Sequence, residues 1–247
     1  MPEWERKWEE LRPGVLRTRL PGWDETVGAV ALADGVLLVD AGPSLPAGAR
    51  AGREAAHLLG LPVTRLVVTH PHFDHALGAG AFPDAERFGP SGLAGADLAR
   101  DLAGDAVRHG LDAAQARRAA GALGRGGPWR EVAGELRLGT GSAPGRVGEV
   151  LLHDLGPAHS PRDVAVLVPG TPPVLFCGDL VEESGEPQAG PDAEPARWPA
   201  ALGRLLALGG PEARYVPGHG AVVDAAFVEA QRRTLAARFG TPGAAEG

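Results

Sequence analysis

Thr69-His70-Pro71-His72-Phe73-Asp74-His75 is the stretch whose reading decides the fold. Four side chains able to bind a metal, His70, His72, Asp74 and His75, fall within one short run. An apolar run, Leu66-Val67-Val68, leads into it, and mostly small residues, Ala76 to Ala81, follow. That is the pattern of a buried strand ending in a loop that carries function. In extended backbone His70, His72 and Asp74 alternate and so face one way; His75 is then turned by the start of the next element. Neutral imidazoles with a carboxylate suit zinc, iron or manganese. The string HxHxDH arises by chance in about five of ten thousand chains of this composition. A merely polar loop is the competing reading, and the partners present downstream count against it.

Three later positions share one context, an apolar strand running into a tight turn with a polar side chain. They are His159 in Gly156-Pro157-Ala158-His159-Ser160, Asp179 in Phe176-Cys177-Gly178-Asp179-Leu180, and His219 in Pro217-Gly218-His219-Gly220. A neighbouring glycine lets backbone and metal approach closely. Each alone is a common turn. With HxHxDH they make five histidines and two aspartates, the inventory for two metal ions with a bridging carboxylate and room for water.

Outward from these residues the pattern predicts strands and helices in a definite order. A short amphipathic helix is expected over residues 3–11, from the spacing of Trp4, Trp8 and Leu11. Strands follow at 15–20, 26–33 and 36–40, with Pro21-Gly22-Trp23-Asp24 and Asp34-Gly35 as turns. A helix over 47–59 ends at Gly60. Residues 63–69 form the strand that delivers the motif, 85–88 another short one, and 95–123 two helices broken near Gly110. Strands at 135–138, 148–155, 163–168 and 174–176 begin a second sheet. A polar loop over 181–194, a helix over 196–208, a strand over 213–216 and a helix over 225–239 complete the chain. Strands, helices, strands, helices predict an α+β protein of two similar halves packed sheet to sheet, with helices outside.

The chain has 247 residues and no linker-like break, so residues 1–247 are expected to form a single domain. The net charge of −7 argues against a nucleic-acid backbone as the main partner. The lone cysteine, Cys177, rules out an internal disulfide and is expected as a small buried hydrophobe. Met1 to Arg12 is charged and lacks a signal-peptide core, and no apolar run reaches the ~18 residues of a membrane span, so a cytoplasmic protein is expected. Composition does not speak to oligomeric state. His57 and His153 read as packing residues and His109 as a surface or helix-end histidine. Asp163 fits either a hydrogen bond behind His159 or the start of a strand.

The HxHxDH loop, the later His, Gly-Asp and Gly-His turns, and Asp40 at an early strand end together resemble the metallo-β-lactamase superfamily over nearly the whole chain. The resemblance implies the four-layer αβ/βα sandwich, two packed mixed sheets with helices outside and metals in the cleft between them. It implies that His70, His72 and His159 hold one ion, that Asp74, His75 and His219 hold the other, and that Asp179 bridges them. Asp40 would orient a ligand from behind. Two divalent ions, zinc before iron or manganese, would lower the pKa of water from ~15.7 toward ~7 for attack on a carbonyl or phosphoryl centre, with Asp74 and Asp179 as the catalytic carboxylates.

An Asp at the Gly-Asp turn looks more like the glyoxalase II, thioesterase and lactonase branches than the true β-lactamases. That implies a small-molecule ester, thioester or lactone substrate, ahead of a β-lactam or phosphodiester. The alternative is an oxidoreductase resembling the mononuclear-iron persulfide dioxygenases. Trp23, the helices of 95–123 and the loop 183–197 are the segments expected to shape the substrate pocket, with Trp23 either an apolar lid or packed beneath its hairpin.

Overall fold

Alternating apolar residues separated by Gly, Pro and Asp turns fold here as two mixed sheets. The structure is a computed structural model, and it describes residues 8–93, 95–139, 141 and 143–240. The first sheet runs in chain order: β1 (Trp8–Arg12), β2 (Val15–Arg19), β3 (Thr26–Leu32), β4 (Gly35–Val39), β5 (Val63–Val67), β6 (Glu86–Gly89) and β7 (Trp129–Glu131). β1 to β4 are antiparallel and β4 to β7 parallel. The second sheet contains β8 (Glu135–Leu138), β9 (Val150–Asp154), β10 (Val164–Val168), β11 (Val174–Glu182) and β12 (Arg214–His219). It is antiparallel from β8 to β11, and β12 lies parallel to β11.

Both faces of each sheet are covered, and the strands sort their side chains accordingly. On β4, Leu37 and Val39 point into the space between the sheets, while Val36 and Leu38 point to the outer helices. On β10, Val164, Val166 and Val168 point inward, and Ala165 and Leu167 outward. The outer layers are α1 (Leu45–Leu59), α3 (Ala96–Arg108) and α4 (Ala113–Leu123) on one side, and α5 (Trp198–Gly209) and α6 (Ala225–Phe239) on the other. A four-residue helix, α2 (Phe73–Ala76), follows β5. Each fully buried Val, Leu or Phe contributes about 1.5–3 kcal/mol, so this double coverage is the main source of stability. The result is the expected αβ/βα sandwich.

The element boundaries follow local chemistry. Ser44 caps α1 by accepting from Ala47 N at 3.4 Å, and Gly60 ends it with φ of 65°. Asp112 and Asp224 cap α4 and α6 in the same way.

One expected element is overturned, and one strand was not foreseen. The described part of the expected N-terminal helix, Trp8 to Arg12, is strand β1; Trp4 lies outside the described residues. Trp8 and Leu11, three apart, join the cores on opposite faces of the sheet, while Glu9 and Glu10 between them are exposed. The same spacing therefore fits a helix stripe and a strand that buries one of the pair on each face. β7 was not expected, because this edge strand has no apolar alternation.

Candidate metal centre

Most elements that carry or back a donor end at the same rim of the cleft. β4 ends at Asp40, β5 runs into His70, the β9–β10 turn carries His159, and β12 ends at His219. The sheets are tied there by a hydrogen bond from Val164 N to Thr69 O at 2.8 Å and by a β-bridge between Glu25 and His219. Asp179 lies within β11 rather than in a turn after it. The pairing of β11 with β12 slips between Phe176 and Gly178, which aims Asp179 into the cleft.

The donor atoms converge in two groups: His70, His72, His159 and Asp179, and Asp74, His75 and His219. Within each group they lie within 4.8 Å of one another. Asp74 therefore parts from His70 and His72, contrary to simple alternation. His72 is extended and precedes α2, so the helix turns both Asp74 and His75. Asp179 stands between the groups. Its Oδ2 is 3.6 Å from His70 Nε2 and 3.4 Å from both His159 Nε2 and His219 Nε2, and its Oδ1 is 3.1 Å from His75 Nε2. Asp74 Oδ2 is 3.3 Å from His219 Nε2.

Each histidine uses one ring nitrogen outward and presents the other inward. His75 Nδ1 donates to Asp40 Oδ2 at 2.9 Å, and His219 Nδ1 to Trp23 O at 2.8 Å. His159 Nδ1 donates to Gln188 O at 3.2 Å, and His72 Nε2 to Asp192 Oδ2 at 3.1 Å. The Thr69 hydroxyl donates to Asp40 Oδ2 at 2.8 Å, so it accepts from His70 Nδ1 at 2.9 Å. These outward bonds select the tautomer that leaves the inner nitrogen as a lone pair, as metal ligation requires. His70 Nε2 and Asp179 Oδ1 are buried with no hydrogen-bond partner. Buried polar atoms normally have one, and a divalent cation fits this donor set.

Charge follows the same layout. Burial holds His70 well below its ordinary pKa and brings His159 down to about 4, in both cases against the pull of Asp179. Burial also opposes charge on His219, but Asp179 and Asp74 outweigh it and push that ring up to about 11, so a cation would have to displace the proton on its inner nitrogen. Asp179 is held well below the usual carboxylate range: burial raises it, and the surrounding histidines, His75 first, overcome that.

The backbone must come close for this to assemble. Gly178 has φ of 53°, and a Cβ there would lie 2.9 Å from Thr69 Oγ1; a Cβ on Gly218 would lie 1.8 Å from Asp179 Oδ1. Asp163 accepts from Ser160 Oγ at 2.8 Å and from Ser160 N at 3.2 Å, closing the turn that carries His159. Burial pushes its carboxyl up to about 7. Cys177 is buried, and His109 ends α3 with its ring exposed.

A cavity of about 260 Å³ opens beside the donors, lined by His159, Asp179, His219 and residues of 182–188, among them Glu182, Glu186 and Gln188. The loop thus contributes to it as expected; Trp23 and the helices of 95–123 do not line it. The Trp23 ring packs edge-on against Phe73, with centroids 5.5 Å apart, and its part in the site is the backbone carbonyl. Thr69 and Asp192 were missed as supports. A hydroxyl next to a ligand histidine was a readable signal for Thr69; nothing in the sequence pairs Asp192 with His72.

The chain resembles known proteins in both sequence and shape. The family model described as the metallo-beta-lactamase superfamily matches residues 21–219. Among solved structures, the metallo-β-lactamase FIM-1 from Pseudomonas aeruginosa in its mono-zinc form is similar at 18% identity and a TM-score of 0.67, over 95% of this chain and 96% of that one. The DIM-1 metallo-β-lactamase is similar at 15% identity and a TM-score of 0.66, over 94% and 97%. DIM-1 exposed to ceftazidime gives 16% and 0.63, over 94% and 96%. At these identities the likeness concerns the fold. The family match spans most of the chain, and with the sandwich and the converging donors it establishes that this protein belongs to the metallo-β-lactamase superfamily.

Proposed function

We propose that the protein is a single-domain, metal-dependent hydrolase with a dinuclear centre. His70, His72 and His159 hold one ion, Asp74, His75 and His219 hold the other, and Asp179 bridges them. The observation that carries this reading is the pairing of five outward-bonded imidazoles with two carboxylates around inward lone pairs. Zinc suits that set best, and iron or manganese are the other ions it accommodates. Two such ions would activate water for attack on a carbonyl carbon.

The chain's own residues supply position and proton handling. Asp179 fixes the spacing of the two groups. Asp74 orients the attacking water and takes up its proton. The cavity suits a small molecule, and its lining carries Glu182 and Glu186 with no Lys or Arg. That favours an ester, thioester or lactone over a phosphodiester. A bridging carboxylate favours the same branches over β-lactam hydrolysis. The alternative, a one-iron sulfur oxidoreductase, needs only the first group of donors. Asp74, His75 and His219 are gathered as closely as that group, which favours two ions.

The test is hydrolysis of a panel of thioester, lactone, phosphodiester and lactam substrates by the wild type, Asp179→Ala and His72→Ala. Both variants are expected to lose metal and at least about a hundredfold in kcat/KM. Full metal content with full activity in either one contradicts the assignment.

A further inference from the structure

The two donor groups are backed by different parts of the molecule. His75 and His219 are held from behind by Asp40, at the end of β4, and by the carbonyl of Trp23, in the β2–β3 hairpin. His70 is held through Thr69 by the same Asp40. His72 and His159 are held by one loop, through the Asp192 carboxylate and the Gln188 carbonyl. That loop is tied down at its ends, by Glu183 N to His219 O at 3.2 Å and by Glu194 N to Ala158 O at 2.9 Å. Between these ties it is largely exposed.

We infer that the loop 183–197 backs the rings of His72 and His159, and that Asp192 is the positioning residue that sets the affinity of the His70–His72–His159 site for its ion. The inference rests on the dinuclear reading. A carboxylate on the far nitrogen fixes the ring and raises the basicity of the near one, and losing such a partner typically costs about 10–100-fold in metal affinity. The rings of His75 and His219 have no partner on this loop, which meets His219 only at its backbone carbonyl, so their site is expected to be far less sensitive to Asp192.

The experiment is titration of the metal-free full chain with Co2+ and with Zn2+ against a chromophoric chelator, resolving two binding constants. Circular dichroism verifies the fold of each variant. Asp192→Ala is expected to weaken one constant 10–100-fold and leave the other within about threefold. Asp192→Asn keeps an acceptor oxygen and should fall between. Glu194→Gln removes a charge from the same loop, away from the cavity, and should change neither. Asp192→Ala added to His72→Ala should cost little beyond His72→Ala alone, which identifies the affected site. Unchanged constants in Asp192→Ala, or equal weakening of both, overturn the inference while a two-ion wild type leaves the hydrolase reading standing. A wild type that binds no ion overturns both.

Discussion

Asp40 sits at φ of 61° and spends both carboxylate oxygens on the centre: Oδ1 accepts from Thr69 N at 2.8 Å, and Oδ2 from Thr69 Oγ1 and His75 Nδ1. One side chain therefore orients a histidine of each donor group. Asp40→Ala is expected to lower affinity for both ions by about 10–100-fold, measured by chelator competition. Asp40→Asn tolerates the left-handed backbone and should do less damage. Thr69→Val removes the hydroxyl that joins Asp40 to His70 but leaves Asp40 on His75 Nδ1, so it should weaken the His70 site more than the other. Asp163 gives a pH prediction. Its folded pKa of about 7 stands above the ~3.9 of an unfolded chain. Between those values the folded state holds a proton that the unfolded state has released, so this group's contribution to stability falls as pH rises from about 4 to about 7. Asp163→Asn removes the titration. Its stability, measured by denaturant melts, should fall less than the wild type's over that range, by roughly 4 kcal/mol; parallel curves would refute the assignment. At this scale the side chains that converge, and Asp40 behind them, were legible as types and spacings. Asp192 was not, because the bond to His72 joins residues far apart in the chain and depends on a loop path that no local pattern encodes.

Elements were legible where one face or one cap dominates. α1 begins at a serine cap and ends at Gly60, and α6 starts at an aspartate cap; their patterns admit little else. β1 was misread because Trp8 and Leu11, buried on opposite faces with two exposed glutamates between them, repeat the spacing of a helix stripe. β11 runs on through Asp179 to Glu182, past the Gly-Asp pair that reads as a turn. The slip in its pairing with β12 absorbs Gly178 and keeps the strand going. Close approach at Gly218 is the requirement that β12 meets for it. Gly218→Ala would place a Cβ 1.8 Å from Asp179 Oδ1 and 2.9 Å from the Gly178 carbonyl carbon, so the Asp179 carboxylate must leave its place and the strands must ease apart. We expect a loss of about 1–3 kcal/mol in stability together with loss of bound metal. A variant that melts like the wild type and keeps its metal would show that β12 has more room than this.

The whole molecule is two sheets pressed together so that their strand ends share a rim. Phe176 of β11 lies against Gly28 of β3, where an added Cβ would be 2.5 Å from the ring, so the sheets meet with no room for a side chain. Phe176→Ala should cost about 3–5 kcal/mol by calorimetry or denaturant melt. The layer order was legible because strands and helices come in two blocks; the parting of Asp74 from His70 and His72 was not legible from alternation, because it needs the start of α2. No helix among the described residues is long and apolar enough to cross a membrane. All seven candidate metal-binding side chains singled out in the sequence come to one rim, in two groups with Asp179 between them. The central claim is that this rim holds two ions, and the most direct test is metal content per chain by inductively coupled plasma mass spectrometry on the purified wild-type protein. The account predicts close to two divalent ions, zinc foremost, per chain. A single iron per chain, with no hydrolysis of the substrate panel, would contradict it and favour the sulfur-oxidising alternative.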